Sequence, residues 1–183
     1  MSTGFTPFLL RSHTVTTSPQ HLIPVSDMIA FWNDMEQDGL LPFVFYDGLT
    51  DNYSDYIHFM SDPAVACYYA YDAAGRAVAS CWLNNYIGLA AQIHFVFLRH
   101  VGDSALDIAR ATVAHILRPG IISALYGITP KPYRHAWHFA RQVGFKVMGE
   151  VPGVCWVARR KQYYPGVFTL LTKPDVVVPR WQF

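Results

Sequence analysis

Phe97 to Leu117 reads FLRHVGDSALDIARATVAHIL. The stretch leaves an apolar run, crosses Arg99, His100, Val101, Gly102, Asp103 and Ser104, and enters a segment where Leu106, Ala109, Val113, Ile116 and Leu117 recur at helical spacing. A helix that starts directly after a strand presents free backbone N–H groups at the strand's end. With a glycine in the turn, these groups can converge on phosphate oxygens, and Arg99 can add a charge-assisted contact. The same residues also make an ordinary turn. Ser104 or Asp103 can cap the helix, and an acidic cap competes electrostatically with a phosphate.

The flanks extend this strand–helix unit. Ala91 to Leu98 (AQIHFVFL) is the strongest strand candidate, and Pro119-Gly120 closes the helix over 104–117. Ile121 to Ile128 follows as a buried strand candidate, then a helix over 132–143 behind Pro130 and Pro132, stopped by Gly144. Upstream, Ala64 to Tyr71, the turn Asp72–Gly75 and Arg76 to Trp82 form a hairpin, with Leu83 to Leu89 looser. Met28, Phe31, Trp32 and Met35 mark a helix over 28–37, capped by Ser26-Asp27 and ended by Asp38-Gly39. Residues 50–62 suit one short helix, and Leu40 to Tyr46 is an apolar, aromatic run broken by Pro42. Phe145 to Val151, Val154 to Arg160 and Val167 to Leu171 are three further strand candidates. The expected class is α+β: one domain over 1–183 with a mixed, mostly antiparallel central sheet flanked by helices. Residues 1–20 form a less regular N-terminal arm and 174–183 a C-terminal tail.

Composition narrows the function classes. Of 183 residues, 52% are hydrophobic and the formal net charge is +1, which excludes a disordered chain and a strongly charged nucleic-acid binder. The charge is unevenly placed. Residues 1–98 carry two basic and nine acidic side chains, net −7, and residues 99–183 carry twelve and four, net +8. The second half suits a polyanionic small ligand, or the halves neutralise each other across one fold. Cys67, Cys81 and Cys155 lack CxxC spacing and read as reduced, buried thiols. The start lacks a signal-peptide pattern, and no stretch reaches the ~20 apolar residues of a membrane helix, so the expected location is cytoplasmic. No metal set is expected: His135 and His138 lie three apart without a nearby Cys, Asp or Glu. A GxSxG elbow is absent, and Arg159-Arg160-Lys161 before Tyr163-Tyr164 is a small footprint for nucleic acid.

Residues 64–160 resemble the GNAT superfamily of N-acetyltransferases. The resemblance rests on the hairpin, the central strand running into Arg99-x-x-Gly102-x-Ser104, the helix behind it, and Tyr133 to Val143 closing in Gly144-Phe145. It implies acetyl-CoA, or another acyl-CoA, as co-substrate, with Phe97 to Ser104 around the pyrophosphate. The pantetheine arm would lie along Ala91 to Leu98, in the splay beside Ile121 to Ile128. The departures are specific: Ser104 stands where the family has Gly or Ala, Leu106 one place early, Tyr133 at a common Asn, and Ala140 at the usual Tyr. That tyrosine protonates the departing thiolate, and Tyr133, Tyr126 or His138 are its candidate substitutes here.

Acyl transfer to an amine also calls for a base, and imidazole suits that role. Strand alternation puts His94, Val96 and Leu98 on one face and Ile93, Phe95 and Phe97 on the other. His94 is the base candidate if the first face lines the cleft; otherwise it is a core histidine satisfied by a backbone carbonyl. The resemblance implies direct acetyl transfer to a primary amine, on a small molecule or a protein. The acidic first half, with Asp47, Asp51, Asp55 and Asp62, points to a cationic acceptor such as a polyamine, an aminoglycoside or a protein amine. The alternative is a non-catalytic structural or interaction protein that keeps the fold and CoA binding, assembling as a homo-oligomer through its aromatic surfaces.

Overall fold

Alternating side chains along the strands build two apolar faces, and the helices divide between them. A computed structural model describes residues 9–13 and 23–175. In chain order the elements are β1 Leu9–His13, α1 Val25–Gln37, α2 Leu41–Val44, α3 Tyr53–Met60, β2 Ala66–Tyr71, β3 Ala77–Ile87 and β4 Ala90–Phe97. After a 3-10 turn at Arg99–Ser104 come α4 Ala105–Leu117, β5 Ala124–Pro130, α5 Arg134–Val143, β6 Lys146–Val157 and β7 Gln162–Thr172. The seven strands form one sheet in the order β1-β2-β3-β4-β5-β7-β6. Among the described strands only β4 and β5 pair in parallel, as a crossover through α4 requires. The fold is α+β, mostly antiparallel, as expected.

On one face, Cys67, Tyr69 and Tyr71 of β2, Trp82 of β3, and Val96 and Leu98 pack under α1 and α3 through Met28, Phe31, Trp32, Met35, Tyr56 and Met60. On the other, Cys81, Leu83, Ile93, Leu125 and Leu171 pack under α4 and α5 through Ala109, Val113, Ile116, Leu117 and Val143. The cysteines are buried and free. Burial pushes the Cys67 thiol up to about 12 and raises those of Cys81 and Cys155.

Several sequence expectations need correction. The looser segment 83–89 belongs largely to β3, which runs to Ile87 because Leu83, Asn84 and Ile87 keep partners in β4. Phe145–Val151 and Val154–Arg160 are one strand, β6, which absorbs the break at Pro152-Gly153 as a register shift against β7. Helix α1 begins after Pro24 with no side-chain cap: Ser26 bonds only the adjacent Asp27, whose carboxylate instead accepts the Tyr71 hydroxyl at 2.8 Å. Leu40 to Tyr46 contains a one-turn helix, α2, with Pro42 in its first turn. Part of the N-terminal arm is strand β1, paired with β2. The rest of the arm, and the tail beyond Asp175, lie outside the described residues.

The site depends on how little joins β4 to β5. They pair only at Ala90–Ala124, Ala91–Leu125 and Gln92–Tyr126, whereas β5 stays paired with β7 from Ala124 to Pro130. Beyond Gln92, β4 follows β3, and the sheet parts. The free end of β4 is held by α1: the Asp38 carboxylate accepts the Arg99 backbone N–H at 2.7 Å. An amide bonded to a charged acceptor contributes about 1.5–3 kcal/mol when sheltered, less where water competes. Asp38→Ala is therefore expected to cost roughly 1–2 kcal/mol in chemical denaturation. It should also speed hydrogen exchange at the Arg99 amide while central β3 amides stay protected.

Candidate functional site: a cleft where the sheet parts

The parting of β4 and β5 opens a cleft of about 430 Å³. Its walls are Ile93 to Phe97 of β4 and Gly127 to Pro130 of β5, with Ala105 at the start of α4 and Phe139 and Ala140 of α5 on one side. On the other side stand Leu40, Phe43, Val44, Tyr46, Trp82 and Tyr133. Both sheet faces therefore contribute, and the cleft passes through the layer between them.

The strand edge in the cleft carries unused backbone groups. The Leu98 N–H bonds the Val78 carbonyl on β3, so alternation turns Val96 and His94 toward β3 as well. The Ile93 C=O and the N–H and C=O groups of Phe95 and Phe97 then face β5, beyond the last ladder pair at Gln92–Tyr126. An extended ligand with its own amides can pair there as an added strand does.

The turn Arg99–Ser104 joins two residues of the cleft wall, Phe97 and Ala105. Gly102 has φ 53° and ψ −131°, a conformation that favours glycine, and a Cβ there would meet nothing within 4 Å. Neither Ser104 nor Asp103 caps the helix: Ser104 is the N-cap residue of α4 and makes no side-chain cap bond. The Ala105 N–H donates instead to the Gly102 carbonyl, so the helix entry carries a backbone bond and no side-chain cap. Phe97 lines the cleft, while Leu98 is buried in the α1/α3 core and Val101 packs against it. Arg99, His100, Gly102, Asp103 and Ser104 lie outside the lining. The Arg99 guanidinium reaches toward the α1 corner, 3.9 Å from where a Gly39 Cβ would sit.

His94 lines the cleft, with its ring stacked on Trp82, centroids 4.9 Å apart and planes 4° from parallel. Its Nε2 lies 3.1 Å from Asn84 Oδ1, so the satisfying group is a side-chain amide rather than a backbone carbonyl. With Oδ1 as acceptor, Nε2 carries the proton and Nδ1 keeps a lone pair. Burial moves the imidazole down to about 4, so His94 is neutral at neutral pH.

The three substitutes for the missing tyrosine separate clearly. Tyr133, which caps α5, is 6% exposed, lines the cleft, and has a buried hydroxyl without a hydrogen-bond partner. Tyr126 is committed elsewhere: its hydroxyl donates to the Asn85 carbonyl at 2.6 Å and its ring packs on Phe168. His138 stacks on Trp137 on the exposed side of α5, outside the cleft. Ala140 does line the cleft, without a hydroxyl. Sequence reasoning missed Phe43, Tyr46, Trp82, Thr129, His135 and Thr169 as lining residues. The aromatic run after Pro42 was the available signal for the first two; the others depend on tertiary approach. Among the described residues no group of three His, Cys, Asp or Glu could hold a metal, and no helix is long and apolar enough to cross a membrane.

Solved structures share this architecture. The chain is similar to a spermidine N-acetyltransferase SpeG chimera from Vibrio cholerae and hSSAT, at 12% identity over 92% of this chain and 97% of that one, with a TM-score of 0.71. It is also similar to a GNAT-family acetyltransferase from Bacillus anthracis, at 10% identity, 92% and 96% coverage, and a TM-score of 0.71. A ribosomal-protein-S5-alanine acetyltransferase from Vibrio fischeri gives 9% identity, 97% and 99% coverage, and a TM-score of 0.69. The fold is that of the GNAT acetyltransferases. No family model and no curated protein matches the sequence. At such identities the likeness establishes the GNAT fold, and the chemistry must be argued from the cleft.

The state of His94 sets a pH dependence. Its folded value lies below the 6.5 of an unfolded histidine, so between these values the unfolded chain binds more protons. Stability is fully present above 6.5 and falls as pH drops toward about 4, by up to roughly 3 kcal/mol from this residue. Half-buried His115 is lowered too, by burial and then by Arg118, and adds slope of the same sign. Denaturation from pH 7 to 4 should show this loss, and His94→Gln should flatten it.

Proposed function

We propose that this chain is an acyl-CoA-dependent N-acetyltransferase that transfers the acyl group directly to a primary amine. The observation that carries the reading is the parting of β4 from β5. It exposes an edge suited to an amide-bearing arm, leads to an entry of α4 without a side-chain cap, and holds His94 and Tyr133 in one cleft. In this reading Phe95 and Phe97 offer backbone groups to the pantetheine arm, and the Gly102–Ser104 turn and Arg99 receive the pyrophosphate.

The amine lone pair forms a C–N bond at the thioester carbonyl, the C–S bond breaks, the nitrogen loses a proton and the sulfur gains one. A group titrating near 4 is too weak to strip an ammonium, so Nδ1 of His94 accepts a hydrogen bond from an amine that arrives neutral. The Tyr133 hydroxyl, without a partner among the described residues, protonates the departing thiolate, and the tyrosinate takes up the proton that the nitrogen releases. Buried thiols with raised pKa values argue against a cysteine acyl-enzyme.

A second reading has one specific observation behind it. Ala140 occupies the cleft wall where the resemblance calls for a tyrosine, which fits a GNAT fold that binds CoA without turnover. Kinetics separate the two.

Calorimetric titration with acetyl-CoA should give micromolar binding, weakened at least tenfold by Gly102→Val; no heat at millimolar CoA would end the proposal. Tyr133→Phe tests the acid. Removing a buried hydroxyl that lacks a partner should leave stability unchanged or higher by about 1 kcal/mol. Turnover, followed as free thiol release, should fall about 10²-fold or more with CoA affinity retained. Turnover equal to that of the parent protein would remove Tyr133 from the mechanism.

A further inference from the structure

We infer that the acceptor is an amine on an aromatic or aliphatic skeleton that also carries a carboxylate, the class of the hydrophobic amino acids. This rests on the acetyltransferase reading above and names the acceptor for the same cleft.

The α1/α2 side of the cleft sets the skeleton. Leu40, Phe43, Val44, Tyr46, Trp82 and Tyr133 form that wall, and among the described residues no Asp or Glu lines the cleft. The acids of the first half, which suggested a cationic acceptor, are spent locally. Asp55 accepts from Asn52 and from the Asp51 N–H at the start of α3, Asp62 accepts the Ala64 N–H, and Asp47 accepts the Leu49 N–H. All four are exposed to solvent. A polyamine entering this wall would lose hydration of its further charges with no carboxylate to replace it, a cost of several kcal/mol per ion. A single neutral amine on an apolar body meets no such penalty.

The mouth sets the carboxylate. The Arg159 guanidinium lies 4.3 Å above the Phe43 ring and 5.6 Å from that of Tyr133, held by cation–π attraction at the edge of the apolar wall. It makes no ion pair with a carboxylate among the described residues. Its position is fixed from below, because the Ala158 N–H donates to the Tyr46 carbonyl at 2.8 Å and Gly48 packs tightly on Ala158. Arg160 and Lys161 follow in the same turn, and His135 stacks on Tyr133 from the α5 side. Asp47, on the adjoining loop, is the acid nearest in sequence to this corner, and its carboxylate is turned to the Leu49 amide. The rim is therefore net positive beside an apolar wall. A planar guanidinium pairs bidentately with a carboxylate, while the rings beneath it accept the skeleton. The buried Tyr133 hydroxyl provides a polar point deeper in the cleft, where the amine and thioester would meet.

The test measures free thiol release from acetyl-CoA with L-phenylalanine, L-tryptophan and L-leucine, against phenethylamine and tryptamine, which lack the carboxylate, and against spermidine. We expect kcat/KM for the amino acids at least tenfold above the carboxylate-free pair and above spermidine. In Arg159→Gln the ratio of phenylalanine to phenethylamine should fall toward one. Calorimetry on the CoA-loaded protein gives a second readout that needs no turnover: N-acetyl-L-phenylalanine should bind at least tenfold more tightly than N-acetylphenethylamine, and R159Q should erase the difference. Spermidine as the preferred acceptor, equal rates with and without the carboxylate, or an unchanged ratio in R159Q would overturn the inference while leaving the acetyltransferase reading intact. Absence of CoA binding, or of thiol release with every amine, would overturn both.

Discussion

Three residue pairs hold β4 to β5, and the character of the cleft follows from that short ladder. Each strand has a stronger commitment elsewhere, β4 to β3 along its length and β5 to β7 from end to end. Two antiparallel sub-sheets are thus joined at one edge and diverge with the ordinary twist of strands. Divergence leaves backbone groups without a ladder partner in an apolar setting, which is costly unless a ligand or water meets them. The fold tolerates this because each face has its own roof: α1 and α3 cover one face of β2, β3 and β4, while α4 and α5 cover the other and span both sub-sheets through Cys81, Leu83, Ile93, Leu125 and Leu171. The Asp38–Arg99 contact ties the far end of β4 to the first roof.

Much of this was legible in the chain. Alternation in AQIHFVFL assigned His94, Val96 and Leu98 to one face, and the structure packs Val96 and Leu98 under α1 and α3 while Ile93 packs with α4. Helix bounds came within two or three residues because Gly39, Gly120, Pro132 and Gly144 punctuate strongly, whereas the start of α1 lies at Pro24 rather than at the expected Ser26-Asp27 cap. The long strands were harder. Asn84 and Asn85 lowered the apparent strand propensity of β3, yet its pairing with β4 continues past Leu83. Pro152 and Gly153 read as a loop, but β7 holds both halves of β6 in one ladder.

The site was less legible, because its residues meet only through tertiary approach. Tyr133 and His94 are 39 positions apart, one at the cap of α5 and the other within β4, so no spacing rule links them. The acidic first half illustrates a related point. Charge counted along a sequence says nothing about which face a carboxylate takes, and Asp55 and Asp62 are bound to turn and helix-start groups that any folded chain must satisfy. Tyr126 shows the converse: a plausible acid by residue type is removed by one short bond to the Asn85 carbonyl.

His94 and Tyr133 also divide the energetic burden in opposite ways. His94 is satisfied, stacked on Trp82 and bonded to Asn84, and its cost appears only on acidification, when burial opposes the charge. Tyr133 buries a hydroxyl with no partner among the described residues, a cost of up to about 1 kcal/mol that the Phe variant would relieve. A chain selected for stability alone would place phenylalanine there, since the ring contacts with Phe43, Tyr46 and Arg159 do not use the oxygen. Retaining an unpartnered donor against the wall of an otherwise apolar cleft is intelligible if the partner arrives with the substrate. In the proposed mechanism Ala140 needs no hydroxyl, because the donor sits about two helix turns earlier, at the cap residue of α5 beneath Arg159. On that proposal the proton source and the rim charge share one ring, so the geometry that admits the acceptor would also place the acid.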